Sequence, residues 1–385
     1  MQGHIQKRSK DSWTVVVDMG RDPIRGKRRQ VWRSVKGTKR DAQALLVQLL
    51  HQRDVGTEQL PGKVTVAEFF RRWLKEYAAS NVAPATLLQY QWAANRHIIP
   101  ALGGLALTKL RPTHIQSLYT EKLQRGRADG RGGLSAKSVL HIHRLLREVL
   151  AHAVRWQVLS RNPADAVAPP RAERCEPPML SPEAARRLLA VAEDGSYGAL
   201  VHVAVMTGMR RGEILGLRWE DVDLDGSVLH VRQAAQWLPG KGWTFRQPKT
   251  AKSRRPIALA QPTVQVLRQH RLVQLEERLA LGEAYADRDL VFATSVGAPI
   301  GNTGLRRVWK RIAKASGHLT LTFHDLRHLH ASLLLLEGAN PKVVSERLGH
   351  SSVSMTLDVY SHIMPNLQTE AAEGLGRLLA VGTES

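Results

Sequence analysis

Four short polar segments constrain this chain more than anything else in it. Three lie near its C-terminal end: Thr322-Phe323-His324-Asp325-Leu326-Arg327-His328, Leu348-Gly349-His350-Ser351 and Asp358-Val359-Tyr360-Ser361-His362. The fourth, Thr207-Gly208-Met209-Arg210-Arg211-Gly212-Glu213, stands far upstream. Two arginines, two histidines and a tyrosine are thus set at the ends of apolar runs. That set is suited to gripping a phosphodiester and attacking it, provided the chain folds these distant pieces onto one another.

The chemistry explains the residue types. A phosphodiester is an anion and repels nucleophiles, so cutting it requires spreading the charge that builds on its non-bridging oxygens. Arginine donates two parallel hydrogen bonds to a phosphate and stays charged. The attacking group loses a proton and the departing sugar oxygen gains one. With tyrosine as nucleophile the product is a phosphotyrosyl ester, which retains the bond energy and lets a second DNA end reverse the step. Joining then needs neither ATP nor a metal. A metal reading competes at one place: His324 and His328 have the i, i+4 spacing of a zinc-protease helix, with His330 nearby. Residue 325 is Asp where that pattern has Glu, and Arg327 would set a positive charge beside the ion. His328 and His330 therefore read as packing or hydrogen-bonding residues.

Motif by motif, these segments resemble the tyrosine recombinase (phage integrase) family, most specifically over residues 204–362. The resemblance implies a multidomain α+β fold: a small β-sheet-plus-helix N-terminal module, a helical core-binding domain, and a mostly α catalytic domain with a small β-sheet. It implies that Arg210 and Arg327 clamp the phosphate and that Glu213 orients the first of them. His324 would be the base or an orienting residue, His350 a donor to the phosphate, and Tyr360 the nucleophile. Lys249, in Gln247-Pro248-Lys249-Thr250 between strands at 228–232 and 255–259, corresponds to the family's lysine, which sits in a β-hairpin and protonates the leaving 5′ oxygen. Lys252 is its rival, and the Lys-Thr pairing favours Lys249.

The implied activity is site-specific cleavage and rejoining of double-stranded DNA through a 3′-phosphotyrosyl intermediate, integrating or excising a phage or mobile element, without a cofactor. The implied assembly is two subunits per duplex site and a homotetramer in the synapse, with an accessory directionality factor as a further partner. The implied location is the cytoplasm of a bacterial host, at the nucleoid. A DNA-binding protein without activity and a type IB topoisomerase-like relaxing enzyme are the competing classes.

Charge supports a polyanionic partner. The chain of 385 residues carries a net charge of +22. Residues 1–60 hold 13 basic against 6 acidic side chains and residues 61–175 hold 18 against 7, so most of the excess lies in the first 175 residues. One cysteine, Cys175, allows no intrachain disulfide and fits a reducing compartment. No secretory leader is evident at the N-terminus, and the longest apolar runs are too short to span a bilayer.

Residues 1–54 read as two strands and a helix capped by Thr38, and resemble the arm-type DNA-binding module of phage integrases. Lys7, Arg8, Lys10, Arg25, Lys27, Arg28 and Arg29 are its candidate DNA contacts. A linker follows at 55–63. Residues 64–160 read as a helical domain that resembles the core-binding half of a recombinase clamp. One of its helices is expected over 86–98, ending before Pro100. Another spans 135–156, with His141, Arg144, Arg147 and Arg155 off its apolar face; Arg144 and Arg147 are candidate DNA contacts. Residues 162–178, rich in proline, read as a second linker. The catalytic domain is expected over 179–385, with a final helix near 368–379.

Overall fold

The computed structural model describes residues 3–9, 11–21, 28–54, 64–173, 180–193, 195–247, 253–360 and parts of 372–379. The chain divides into two compact units, residues 1–174 and 175–385.

The first unit begins with an antiparallel meander of β1 (Gly3–Ser9), β2 (Ser12–Arg21) and β3 (Arg28–Lys36). Alternation along β2 sends Trp13, Val15 and Val17 to one face, where with Ile5 they meet Ala42, Leu45, Leu46 and Leu49 of α1 (Lys39–Asp54). That helix starts at the expected place. The Thr38 hydroxyl accepts from Asp41 N at 3.4 Å, and the Asp41 carboxylate accepts from Thr38 N at 2.8 Å.

A separate helical core follows. A second Thr–Glu box, Thr65 with Glu68, opens α2 (Val66–Trp73), which buries Phe69, Phe70 and Trp73 completely. A π turn at Leu74–Ala78 leads into α3 (Ala79–Asn81). α4 (Pro84–Ala93) likewise passes through a π turn, Ala94–Ile98, into α5 (Ile99–Leu102). The helical path therefore runs through Pro100, where the sequence suggested a stop. The wider turn re-registers the backbone bonds so that Pro100 falls in the first turn of a new α segment, where a missing N–H costs no bond. α6 (Pro112–Arg125) and α7 (Ala136–Arg155) complete the core, with Ser135 capping α7 through Ser138 N. Ala164 and Val167 are also buried in this core, and Asn162 caps the short helix Pro163–Ala166. The first residues of the expected second linker are thus packed structure.

The second unit is built around α9 (Gly198–Thr207), which follows α8 (Pro182–Glu193). Leu200, Val201, Val203, Ala204 and Val205 are each at most 3% exposed. A helix apolar on every side belongs inside a core, each buried Leu or Val side chain contributing about 1.5–3 kcal/mol. α9 ends at Gly208, whose φ of 63° is left-handed. A Cβ there would also lie 2.6 Å from both His330 and Leu348 side-chain carbons, so glycine is required twice over.

After α10 (Arg211–Leu215) come β4 (Val222–Asp223), β5 (Val228–Val231), the hairpin of β6 (Ala234–Leu238) and β7 (Gly242–Arg246), and β8 (Arg255–Ala258). β5 pairs with β8 as expected, but β6 and β7 form their own two-stranded sheet between them. Lys249 falls between β7 and β8 in the sequence and lies outside the described residues. α11 (Gln261–Leu281), α12 (Asn302–Ala315), α13 (Asp325–Leu336), α14 (Pro341–Leu348) and α15 (Val353–Tyr360) complete the unit. Among the described residues no helix is long and apolar enough to cross a membrane.

Candidate active site

The ends of α9 and α14 build the site. Both helices terminate in left-handed glycines, Gly208 and Gly349, and both leave carbonyl groups free at their C-terminal ends. Arginines take those carbonyls. Arg327 on α13 is 4% exposed and donates to Gly208 O at 2.8 Å and Leu348 O at 2.7 Å. Arg210, between Gly208 and α10, donates to Gly349 O at 3.1 Å. Helix C-termini carry partial negative charge, which suits guanidinium partners.

Glu213 locks Arg210 in place. Its carboxylate accepts from the Arg210 backbone N at 2.9 Å and from the Arg210 guanidinium at 2.8 Å. A second buried arginine, Arg255 at the start of β8, donates to the same carboxylate at 3.0 Å. It also donates to Arg347 O. Burial alone would push the Glu213 carboxyl up; Arg255 and then Arg210 outweigh it and hold the group below its ordinary value. The sequence alone marks Arg255 only as the start of a strand. A buried arginine leaves no periodic signal, because its role depends on a carboxylate forty residues away.

Arg210 and Arg327 stand close enough to oppose each other. Burial first, and the like charge of Arg210 second, lower the proton affinity of Arg327 below the usual arginine range. An anion between them would relieve that tension.

His350 follows Gly349 and turns its Nδ1 to the buried Thr356 hydroxyl, 2.8 Å away. Burial, then Arg327 and Arg210, bring it down to about 4, so it is neutral near pH 7. In the tautomer where the Thr356 hydroxyl donates to Nδ1, the other ring nitrogen carries the hydrogen and can donate. Thr356 is a further residue the sequence did not single out.

Tyr360 closes α15 and is 1% exposed, packed with Ala331, Leu335, Val344 and Leu348. Burial raises its phenol to about 12, and Arg327 works against that rise. Its hydroxyl lies 2.6 Å from His328 Nδ1. His324, at the N-terminus of α13, meets the His328 ring edge-on, with centroids 5.5 Å apart. Burial and Arg327 lower His324 as well. The hydrogen-bonding role expected of His328 therefore falls on the tyrosine itself. His330 is committed elsewhere: it donates from Nδ1 to Val205 O at 2.8 Å and accepts at Nε2 from Arg347 at 3.1 Å. Both its ring nitrogens are occupied. Among the described residues no group of three side chains could hold a metal ion.

Beside the site an open groove of about 800 Å³ runs past Arg210, Arg211, Thr322 and His324 to Arg306 and Lys310 of α12. Arg306 and Lys310 are exposed and were not anticipated. Lys249 and Lys252 lie outside the described residues, as do Lys10, Arg25 and Lys27. Arg28 and Arg29 open β3. Arg8 is exposed on β1, while Lys7 pairs with Trp13 and sets its ammonium 5.7 Å from that ring, on the sheet face that packs α1. The opposite sheet face presents His4, Gln6, Ser34 and a Trp32 that is 57% exposed. Arg144 and Arg147 are exposed on α7 and line a groove of about 850 Å³ with Arg155 and Arg161; Arg147 also pairs with Asp165 at 2.6 Å. In the tail, Leu375 and Leu379 are helical and exposed; Leu367, Ala371 and Leu378 are outside the described residues.

Comparison with known proteins places the chain in one family. The Phage integrase family matches residues 178–366, and the phage integrase N-terminal SAM-like domain matches residues 65–123. An integrase of Streptomyces ambofaciens is 30% identical, covering 93% of this chain and 92% of its own length. The ICEBs1 integrase of Bacillus subtilis is 28% identical, covering 97% and 100%. A XerC-like tyrosine recombinase of Caldanaerobacter subterraneus subsp. tengcongensis is 29% identical over 97% of both chains. Among solved structures, the Tn1549 transposon integrase bound to a circular intermediate DNA superposes with a TM-score of 0.67 at 20% identity, over 82% of this chain and 99% of that one. A lambda integrase dimer bound to a core site gives 0.57 at 20% identity, over 94% of each.

Proposed function

The chain belongs to the phage integrase family, and we propose on that footing that it cleaves and rejoins DNA at specific sites through a 3′-phosphotyrosyl intermediate. It is a tyrosine-type recombinase, an integrase of a phage or other mobile element. The observation that carries the mechanism is the pair of opposed guanidiniums, Arg210 and Arg327, with the Tyr360 hydroxyl and neutral His350 in their field.

The two arginines bind the non-bridging oxygens of the scissile phosphate, and their positions are set beforehand by carbonyl groups and by Glu213. Such preorganised donors stabilise the charge that develops in the transition state without reorganising. His350 adds a neutral N–H donor. His324 lines the same helix end and orients the phosphate. Tyr360 Oη attacks phosphorus, the bond to the 5′ oxygen breaks, and Lys249, with Lys252 as its rival, supplies the proton that oxygen takes. Attack by another 5′ hydroxyl reverses the sequence on a new strand, which is how cleavage becomes exchange.

The partner is double-stranded DNA. Arg306 and Lys310 extend the positive surface away from the arginines and suit contacts to flanking phosphates. Three functional domains serve the reaction: an arm-type module at 1–54, a core-binding domain at 64–160 and a catalytic domain at 179–385. Arg144 and Arg147 contact the core site. Lys7, Arg8, Arg28 and Arg29, with Lys10, Arg25 and Lys27, contact accessory sites. A lambda integrase tetramer has been solved on a Holliday junction, and we extend the same assembly, four subunits on paired sites, to this chain. It acts in the cytoplasm, at the nucleoid, where its DNA resides.

The test is an SDS-resistant protein–DNA adduct on duplexes enriched from a random library by the Tyr360→Phe protein. Wild type forms the adduct on a nicked version of the selected duplex and Tyr360→Phe does not. An adduct of equal yield in both proteins would refute the proposal.

A further inference from the structure

We propose that His328 is the catalytic base that takes the proton of Tyr360 as the tyrosine oxygen attacks; this rests on the recombinase reading above and adds a residue to it.

The first ground is contact. His328 Nδ1 lies 2.6 Å from Tyr360 Oη, within the reach a proton transfer requires. His324, three residues before Arg327, meets the His328 ring edge-on, and the His328 ring in turn meets that of Tyr360.

The second ground is the direction of that bond. Tyr360 is 1% exposed, and among the described residues His328 Nδ1 is the partner of its hydroxyl. If Nδ1 carried the hydrogen and donated, the phenol hydrogen would be buried without an acceptor, which costs stability. The satisfied arrangement has Oη–H donating to a lone pair on Nδ1, with the ring hydrogen on Nε2. A base poised to act has that tautomer.

The third ground is the charge around the ring. From its own helix His328 faces His324, Asp325 and Arg327; from α15 it faces Tyr360; and His350 stands across from it. Burial, His324 and Arg327 keep the imidazole neutral in the free protein, with Asp325 opposing them. A phosphate drawn between Arg210 and Arg327 offsets those positive charges and makes the ring a better proton acceptor. Substrate binding thereby switches on the base at the moment it is needed.

The step balances. The Oη–H proton passes to Nδ1 as the Oη–P bond forms and the bond from phosphorus to the 5′ oxygen breaks. That oxygen takes its proton from a separate donor, the lysine proposed above. In rejoining, a 5′ hydroxyl attacks and passes its proton to the now neutral lysine, while the imidazolium returns its proton to Oη as the bond from phosphorus to Oη breaks and the tyrosine leaves.

The experiment uses the full chain and the nicked duplex described above, under single turnover. His328→Asn keeps an acceptor near the Nδ1 position that cannot accept a proton. It should bind DNA as wild type does and cleave at least about 100-fold more slowly at pH 7, the ordinary scale of base catalysis. Its rate should then climb with pH as tyrosinate forms. A 5′-bridging phosphorothiolate, which leaves without proton help, should not restore it. Incorporating 3,5-difluorotyrosine at 360, a more acidic phenol, should. Cleavage within about threefold of wild type, rescue by the thiolate, or failure of the fluorinated tyrosine to rescue a variant that still binds DNA would each overturn the role. If the asparagine variant fails to fold, His328→Gln takes its place with the same outcomes. Failure of the recombinase reading looks different: wild type itself would form no Tyr360-dependent adduct.

Discussion

Replacing Glu213 with glutamine tests the framework that holds the arginines. The carboxylate accepts four hydrogen bonds, two from Arg210 and two from Arg255, over 2.8–3.4 Å. A glutamine can keep the two made to one oxygen. Its NH2 group then confronts two donors at the other. Arg255, 7% exposed, is left as a buried charge with no counter-charge at that site. Breaking a buried ion pair from one side costs about 3–5 kcal/mol. For a unit of this size each kcal/mol shifts the melting temperature by about 2–4 °C, so the expected drop is roughly 6–20 °C. Calorimetry resolves it as a shift of the transition that belongs to residues 175–385. The double variant Glu213→Gln, Arg255→Met should recover part of the loss, since an apolar replacement for the whole pair leaves no orphaned charge. A drop below about 2 °C for Glu213→Gln would refute the argument that this carboxylate anchors both guanidiniums.

Gly208→Ala should destabilise the same unit by more than about 2 kcal/mol, because the left-handed backbone and the contacts with His330 and Leu348 both resist a Cβ; urea denaturation measures it. Stability should rise with pH between about 4 and 6.5. His350 is depressed to about 4 in the fold, so the unfolded chain binds more protons in that window, and stability is lost as pH falls through it; His350→Asn should flatten the slope. Lys249→Ala should lose cleavage on ordinary DNA and regain it on a 5′-bridging phosphorothiolate, and lack of rescue would move the role to Lys252. Cleavage should proceed in EDTA, and its loss there would revive the metal reading.

Much of the site was legible because its residues sit at places where local sequence has one meaning. Gly208 and Gly349 each mark a helix end, and Arg210 and His350 stand just beyond those ends. Thr38, Thr65 and Ser135 marked helix starts through caps that depend only on neighbours. What escaped was set by tertiary contact. Nothing local says that Arg255 reaches Glu213, that Thr356 fixes the His350 ring, or that His328 meets Tyr360 across α13 and α15. Pro100 misled for a related reason: a helix can absorb a proline when a wider turn precedes it, and packing of Ile98 and Leu102 into one core keeps the path continuous. Charge counting alone does not place Lys7, whose exposed side chain sets its ammonium 5.7 Å from the Trp13 ring.

The account depends most on which oxygen becomes joined to DNA. Wild-type protein trapped on the nicked duplex, digested with nuclease and trypsin, can be sequenced by mass spectrometry. The account predicts a nucleotide ester on peptide 348–377, borne by Tyr360. An ester on Ser351 or any other side chain, or a cleaved strand ending in a free phosphate with no modified peptide, would contradict it.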